Sequence, residues 1–129
     1  MSIKKIFLIS LIFFINFTKV YSIGPDVFVQ STVNRASNIL SENISKDEKI
    51  EKLKTIAKET VDIRGISFYT LGSARKSLDK NEKEEYSTLF EKYFLKSFSS
   101  RLSEYTNPEI DVLGKEVLND NYTIVNSVL

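Results

Sequence analysis

The chain has 129 residues, of which 42% are hydrophobic and 27% charged, and these proportions are typical of a single globular domain. They exclude a disordered, a collagen-like or a polytopic membrane protein. Cysteine and histidine do not occur, so disulfides, Cys/His zinc sites and catalysis by a Ser–His or Cys–His pair are excluded. The formal net charge of +1 lacks the basic excess that a general nucleic-acid binder needs.

Residues 1–22 have the pattern of a cleavable secretory signal peptide. Two lysines precede an apolar run at residues 6–15, and Val20-Tyr21-Ser22 suits cleavage after Ser22. The run is too short for a membrane span, which takes roughly 20 residues; an uncleaved anchor is the alternative. Residues 23–129 would then carry 15 basic and 17 acidic side chains. A net charge of −2 gives no electrostatic reason to bind nucleic acid or an anionic membrane.

Three helices are predicted in the first half of the remaining chain. Apolar residues recur at helical spacing in two segments: Val29, Val33, Ala36 and Leu40, and then Ile50, Leu53, Ala57 and Val61. Ser45 and Glu48 match a capping box at the start of the second helix. Residues 62–74 are apolar for their length, so a short, largely buried helix or a helical turn is predicted there.

The longest predicted helix covers about residues 80–105. Asp79 and Glu82 match a second capping box at its start, and Pro108 stops it. Six of the eight members of its apolar stripe are aromatic: Tyr86, Leu89, Phe90, Tyr93, Phe94, Phe98, Leu102 and Tyr105. The opposite side is predicted to be polar: Glu84, Lys92, Lys96, Ser99 and Arg101.

From residue 109 the pattern changes to strand-like alternation. Ile110 and Val112 belong to the first predicted strand, Asn119-Asp120-Asn121 is a turn signal, and residues 122–129 form the second strand. The side chains of Tyr122, Ile124 and Val128 would share one face. We therefore expect an α+β fold in which N-terminal helices pack on an antiparallel sheet of which only the first strands are present. A two-stranded sheet is marginal alone, so the domain at 23–129 is expected to be incomplete at its C-terminus.

Three motifs, taken in order, resemble a known family. The first motif is Phe28-Val29-Gln30. The second combines Asp62 with Leu71-Gly72, Arg75 and Lys76. The third is Glu84-Glu85-Tyr86 with Leu89-Phe90 and Tyr93-Phe94, followed by the helix end at Leu102 and Tyr105 and by the alternating residues 109–112. Behind a signal peptide, their order and spacing resemble the toluene-tolerance family, the MlaC-type periplasmic phospholipid-binding component of the Mla transport system. The resemblance covers about residues 26–129.

The resemblance implies a periplasmic phospholipid carrier that is not an enzyme and needs no cofactor or metal. Such carriers hold the acyl tails between helices and a curved antiparallel sheet. They exchange lipid with an inner-membrane ABC transporter complex and an outer-membrane lipoprotein complex, and nucleic acid is not a partner. Family members continue beyond the strand that resembles residues 122–129, so this chain is expected to be truncated.

The candidate pocket residues are the apolar side chains that could line a lipid cavity. They are Phe68, Leu71, Leu89, Phe90, Phe94, Phe98, Leu102, Ile110, Val112 and Ile124. For each of them an ordinary core role is the alternative. Two other functions stay open, an exported helical adaptor without a ligand and a hopanoid-associated member of the same family. An enzyme with paired carboxylates is disfavoured, because the acidic residues occupy helix faces and caps.

Overall fold

The computed structural model describes residues 22–106 and 108–128. In chain order they form α1 (Pro25–Ser41), α2 (Lys46–Thr60), α3 (Ile63–Thr70), a 3₁₀ helix (Gly72–Lys76), α4 (Lys80–Leu102), β1 (Asp111–Asn119) and β2 (Tyr122–Val128). The predicted α+β class is confirmed, because these helices precede a two-stranded antiparallel sheet that packs against α1. The predicted signal peptide, except for Ser22, lies outside the described residues.

Side-chain caps determine where the helices begin. At the start of α2 the Ser45 hydroxyl accepts a hydrogen bond from the Glu48 backbone N–H, and the Glu48 carboxylate accepts one from the Ser45 N–H. Asp79 and Glu82 make the same reciprocal pair at the start of α4. Both predicted capping boxes are confirmed. Asp62 caps α3 in a similar way, by accepting from a backbone N–H in its first turn.

The buried core lies where α2 packs between α1 and α4. Its apolar members come from all four α-helices: Leu40, Leu53, Ile56, Ala57, Ile63 and Leu95. Ion pairs at the surface join the same helices, with Arg35 to Glu59 at 2.5 Å between α1 and α2. Exposed pairs of this kind add little stability, so the burial of the apolar side chains holds the helices together.

The side of α4 that was predicted to be polar is partly buried, and the prediction was wrong for Ser99. Ser99 is fully buried, and its hydroxyl donates to the Leu95 carbonyl at 2.5 Å. In the contact with α3, the Oγ atoms of Ser67 and Ser87 lie 3.0 Å apart and are also buried. Each hydroxyl has a partner within its own helix or across the interface, so these small residues can occupy the core without an unpaired polar group.

The predicted aromatic stripe of α4 divides into two faces. Four rings at intervals of four residues, Tyr86, Phe90, Phe94 and Phe98, form a stacked row with centroid separations of 6.2, 6.2 and 5.5 Å. Phe90, Phe94 and Phe98 pack against the core. Leu89 and Tyr93 point outward and are 58% and 71% exposed. The stripe is too broad for one contact to bury, because eight positions in close succession extend around much of the helix.

Two polar contacts join α1 to β1 and to the segment that leads into it. The Lys115 ammonium donates to Asp26 at 2.6 Å, and the Ser37 hydroxyl donates to the Pro108 carbonyl at 3.2 Å. The hydrogen bond from Lys115 holds the pKa of Asp26 below its ordinary value. The turn at Asp120 and the following residue is tight, as predicted, since Asn119 pairs directly with Tyr122 in the ladder.

The strands differ from the prediction in length and in the direction of one face. β1 extends to Asn119 and includes irregularities at Val112/Gly114 and Val117/Asn119. On β2, Tyr122, Ile124 and Val128 are exposed. The half-buried residues are the alternate ones, Thr123 and Val125. A strand has only two faces, and the docking of the hairpin on α1 turns the face that contains Ile124 toward solvent.

Candidate functional site

An apolar cavity of about 290 Å³ lies between α1, α2, the C-terminal end of α4 and the segment that leads into β1. Its apolar lining consists of Val33, Ala36, Leu40, Leu53, Ile56, Ala57, Val61, Phe98, Leu102, Tyr105, Pro108 and Ile110. None of the lining residues that the structure describes is charged. The cavity therefore offers largely apolar surroundings to an occupant.

Four of the described lining residues have a hydroxyl group, Thr32, Ser37, Thr60 and Tyr105, and the first three donate it to a backbone carbonyl. Thr32 donates to the carbonyl of residue 28 at 2.9 Å, and Thr60 donates to that of residue 56 at 2.7 Å. Ser37 donates at 3.2 Å to Pro108, which itself lines the cavity. A hydroxyl that donates within its own helix or to a neighbouring carbonyl is a weak anchor for a ligand. The cavity thus presents mostly carbon to an occupant.

Three of the ten predicted pocket residues line the cavity: Phe98, Leu102 and Ile110. Phe90 and Phe94 lie beside it, where they form a shallow groove along α4 together with Phe98. The structure therefore brings one end of the predicted aromatic row to the cavity, and the rest of the row covers the core.

The other five predicted residues do not line the cavity. Phe68 and Leu71, at α3 and its end, are half-buried, and Val112 is half-buried on β1. Leu89 is 58% exposed on the outer face of α4, and Ile124 is 44% exposed on the outer face of the hairpin. Phe68 instead packs under the guanidinium of residue 64, 5.0 Å from the ring centre.

The cavity walls that α1 and α2 provide were not among the predicted pocket residues. Val33, Ala36, Leu53 and Ala57 were recognised by their helical spacing as the buried side of these helices. That spacing is the same for a side chain that fills the core and for one that borders a cavity. Only the placement of α1 against the segment before β1 separates the two cases.

The groups with perturbed pKa values lie elsewhere on the surface. Arg64 forms a two-pronged ion pair with Glu84, which raises the pKa of the guanidinium and lowers that of the carboxyl. Glu48 has a lowered pKa because Ser45 donates to it.

Within residues 22–106 and 108–128, no group of three or more acidic side chains could hold a metal ion. No helix in that part of the chain is long and apolar enough to cross a membrane.

The family model of the MlaC protein matches residues 30–129, a range that includes every residue of the cavity lining. The chain belongs to the MlaC family. This confirms the family recognised from the sequence motifs. Comparison of this MlaC family member with curated proteins and with solved structures gives no significant match.

MlaC proteins are non-enzymatic lipid-binding proteins of the periplasm and belong to the Mla system. Membership confirms the prediction that this chain is not an enzyme. It also agrees with the character of the cavity, because the described lining residues are mostly apolar and uncharged, which suits an alkyl chain.

Proposed function

We propose that this MlaC family member is a periplasmic phospholipid carrier and that the cavity between α1, α2 and α4 takes up an acyl tail. The carrier exchanges its lipid with an inner-membrane ABC transporter complex and with an outer-membrane lipoprotein complex. The observation that supports this proposal is the largely apolar cavity, in which the hydroxyl groups of Thr32, Ser37 and Thr60 already donate to backbone carbonyls.

The volume of the cavity sets how much lipid it can enclose. A methylene group needs about the space of a water molecule, roughly 30 Å³, so 290 Å³ holds on the order of ten methylenes. Each buried methylene contributes about 0.8 kcal/mol, which gives about 8 kcal/mol for the filled cavity. This corresponds to a large part of one tail.

This free energy of burial suits a carrier, because a bilayer buries the same methylenes with a similar gain. The transfer of a tail from membrane to cavity therefore exchanges one apolar environment for another and lies near balance. The direction of transport is then set by the partner complexes, and the carrier itself needs no nucleotide.

The test is mass spectrometry of an organic extract from the protein, expressed with its N-terminal segment and purified from the periplasm. The expected result is stoichiometric phospholipid and a protein that begins at Ile23, as the proposed cleavage after Ser22 requires. Val33→Trp places an indole in the cavity wall and should reduce the bound lipid. Ser31→Trp, at an exposed position of α1, is the matched control and should keep it.

Two results would contradict the proposal. One is a folded protein without lipid, which would favour the exported adaptor. The other is a Val33→Trp variant that is folded by circular dichroism and retains as much lipid as the Ser31→Trp control.

A further inference from the structure

The charges of α4 are segregated along its length. Residues 80–91 contain two basic and four acidic side chains, whereas residues 92–102 contain three basic side chains, Lys92, Lys96 and Arg101, and no acidic one. In the part of the chain that the structure describes, no ion pair involves any of these three cations. The overall charge of −2 for residues 23–129 therefore conceals a local positive excess.

These cations flank exposed apolar side chains on the outside of α4. Positions 89, 93, 96, 97 and 100 follow helical spacing and share one face. Leu89 and Tyr93 on this face are 58% and 71% exposed. Tyr93, Lys96 and Arg101 border one shallow groove together with two serines.

Among the described residues, an acidic side chain borders the depression next to this groove. Glu104 borders a depression at the end of the helix together with Arg101 and Tyr105. Its carboxylate is 4.0 Å from the ammonium of Lys46 on α2. The face between residues 92 and 101 therefore keeps its positive excess.

The outer face is continuous with the wall of the cavity. Phe98 lines the cavity and also borders the groove that contains Tyr93 and Arg101. Tyr105 likewise lines both the cavity and the depression beside Arg101. A surface in contact with this side of α4 would thus lie next to the cavity.

We propose that the outer face of α4, formed by Leu89, Lys92, Tyr93, Lys96 and Arg101, docks on an anionic phospholipid surface. Unpaired cations beside exposed Tyr and Leu side chains are the composition of helices that lie in the membrane interface. The phosphates of an anionic bilayer complement the cations, and its headgroup boundary accommodates the tyrosine and the leucine. The docking goes beyond the proposed function, since a carrier could load its lipid from a protein partner alone.

The expected strength of binding between this face and an anionic membrane is that of a reversible contact. One Lys or Arg near an anionic surface favours binding roughly fivefold. The three cations together then favour anionic over zwitterionic membranes on the order of a hundredfold. The attraction should weaken as salt is raised, because it is screened within about 10 Å at 0.1 M ionic strength.

The test is flotation of the mature protein with vesicles at low salt. One set contains phosphatidylglycerol and phosphatidylethanolamine, and the other contains phosphatidylcholine alone. We expect binding to the anionic vesicles only. The double variant Lys96→Gln/Arg101→Gln should lower that binding roughly 25-fold. The matched control is Arg75→Gln/Lys76→Gln, which removes the same charges from the exposed 3₁₀ helix and should lower it far less.

Equal binding to both kinds of vesicle would overturn the proposal. An equal loss of vesicle binding in the two double variants would also overturn it. An absence of vesicle binding would also overturn it, and the cations would then be assigned to an acidic protein surface. Lipid extracted from the purified double variant should equal that of the wild type. This readout separates a failure of docking from a failure of the cavity to hold a tail.

Discussion

Lengthening the tail of a bound lipid should raise its affinity only until the cavity is full. Each methylene that enters contributes about 0.8 kcal/mol, which corresponds to about a fourfold decrease in Kd. The cavity of 290 Å³ accommodates on the order of ten methylenes at roughly 30 Å³ each. Methylenes beyond that number remain in water, so the gain per methylene should fall sharply.

The measurement is isothermal titration calorimetry of the delipidated protein with a homologous series of single-chain lysophospholipids, each below its micelle concentration. The tails should bracket about ten methylenes. In Val33→Trp the indole occupies part of the cavity, so the plateau should begin at shorter tails. Ser31→Trp, whose side chain lies outside the lining, should reproduce the wild-type series.

Two results would refute the reasoning. The first is an affinity that keeps rising at the same slope well beyond ten methylenes, because the tail would then be buried elsewhere. The second is the same plateau in Val33→Trp and in the wild type, because the cavity that contains Val33 would then not be the site.

Three further variants test the packing and the charges. Phe98→Asp places a charge in the cavity wall and should abolish lipid retention in the extract, whereas Thr88→Asp on the exposed side of α4 should not. Ser99→Leu overpacks a fully buried position and should lower the free energy of unfolding in urea by about 1–3 kcal/mol, with Thr88→Leu as the matched control. The pKa of Asp26 is lowered in the folded state by Lys115, so the contact stabilises the hairpin at neutral pH and is lost as the pH falls through the folded pKa. Asp26→Asn should remove this acid dependence from the hydrogen exchange of the hairpin amides, and an unchanged pH profile would contradict the assignment.

The helix starts could be predicted because their causes are local. The capping boxes at Ser45 and Asp79 need only a cap and a glutamate three residues later, and both form as predicted. The end of α4 was less accurate, since the helix ends at Leu102 and not near residue 105. Pro108 forbids the helix to continue, but the last turn before it depends on how the chain reaches β1.

The burial of particular side chains depends on partners that are distant in sequence. Ser99 belongs to the side of α4 that is polar by composition, yet this part of the helix packs against the rest of the protein and Ser99 is completely buried. Ile124 alternates as a core residue would, but the hairpin presents the opposite face to α1. A pattern of spacing identifies which residues share a face, and it cannot identify which of two faces meets the rest of the protein.

The position of α1 has a consequence for the order of folding. Its partners Pro108 and Lys115 lie 71 and 89 residues away along the chain from Ser37 and Asp26. The contacts of α3 with α4 and of β1 with β2 join residues that are much closer together. Because short loops close at a lower entropic cost, the helices and the hairpin should form first and the hairpin should join α1 last. The cavity is bounded by that final contact, so we expect its walls to be complete only after the last step of folding.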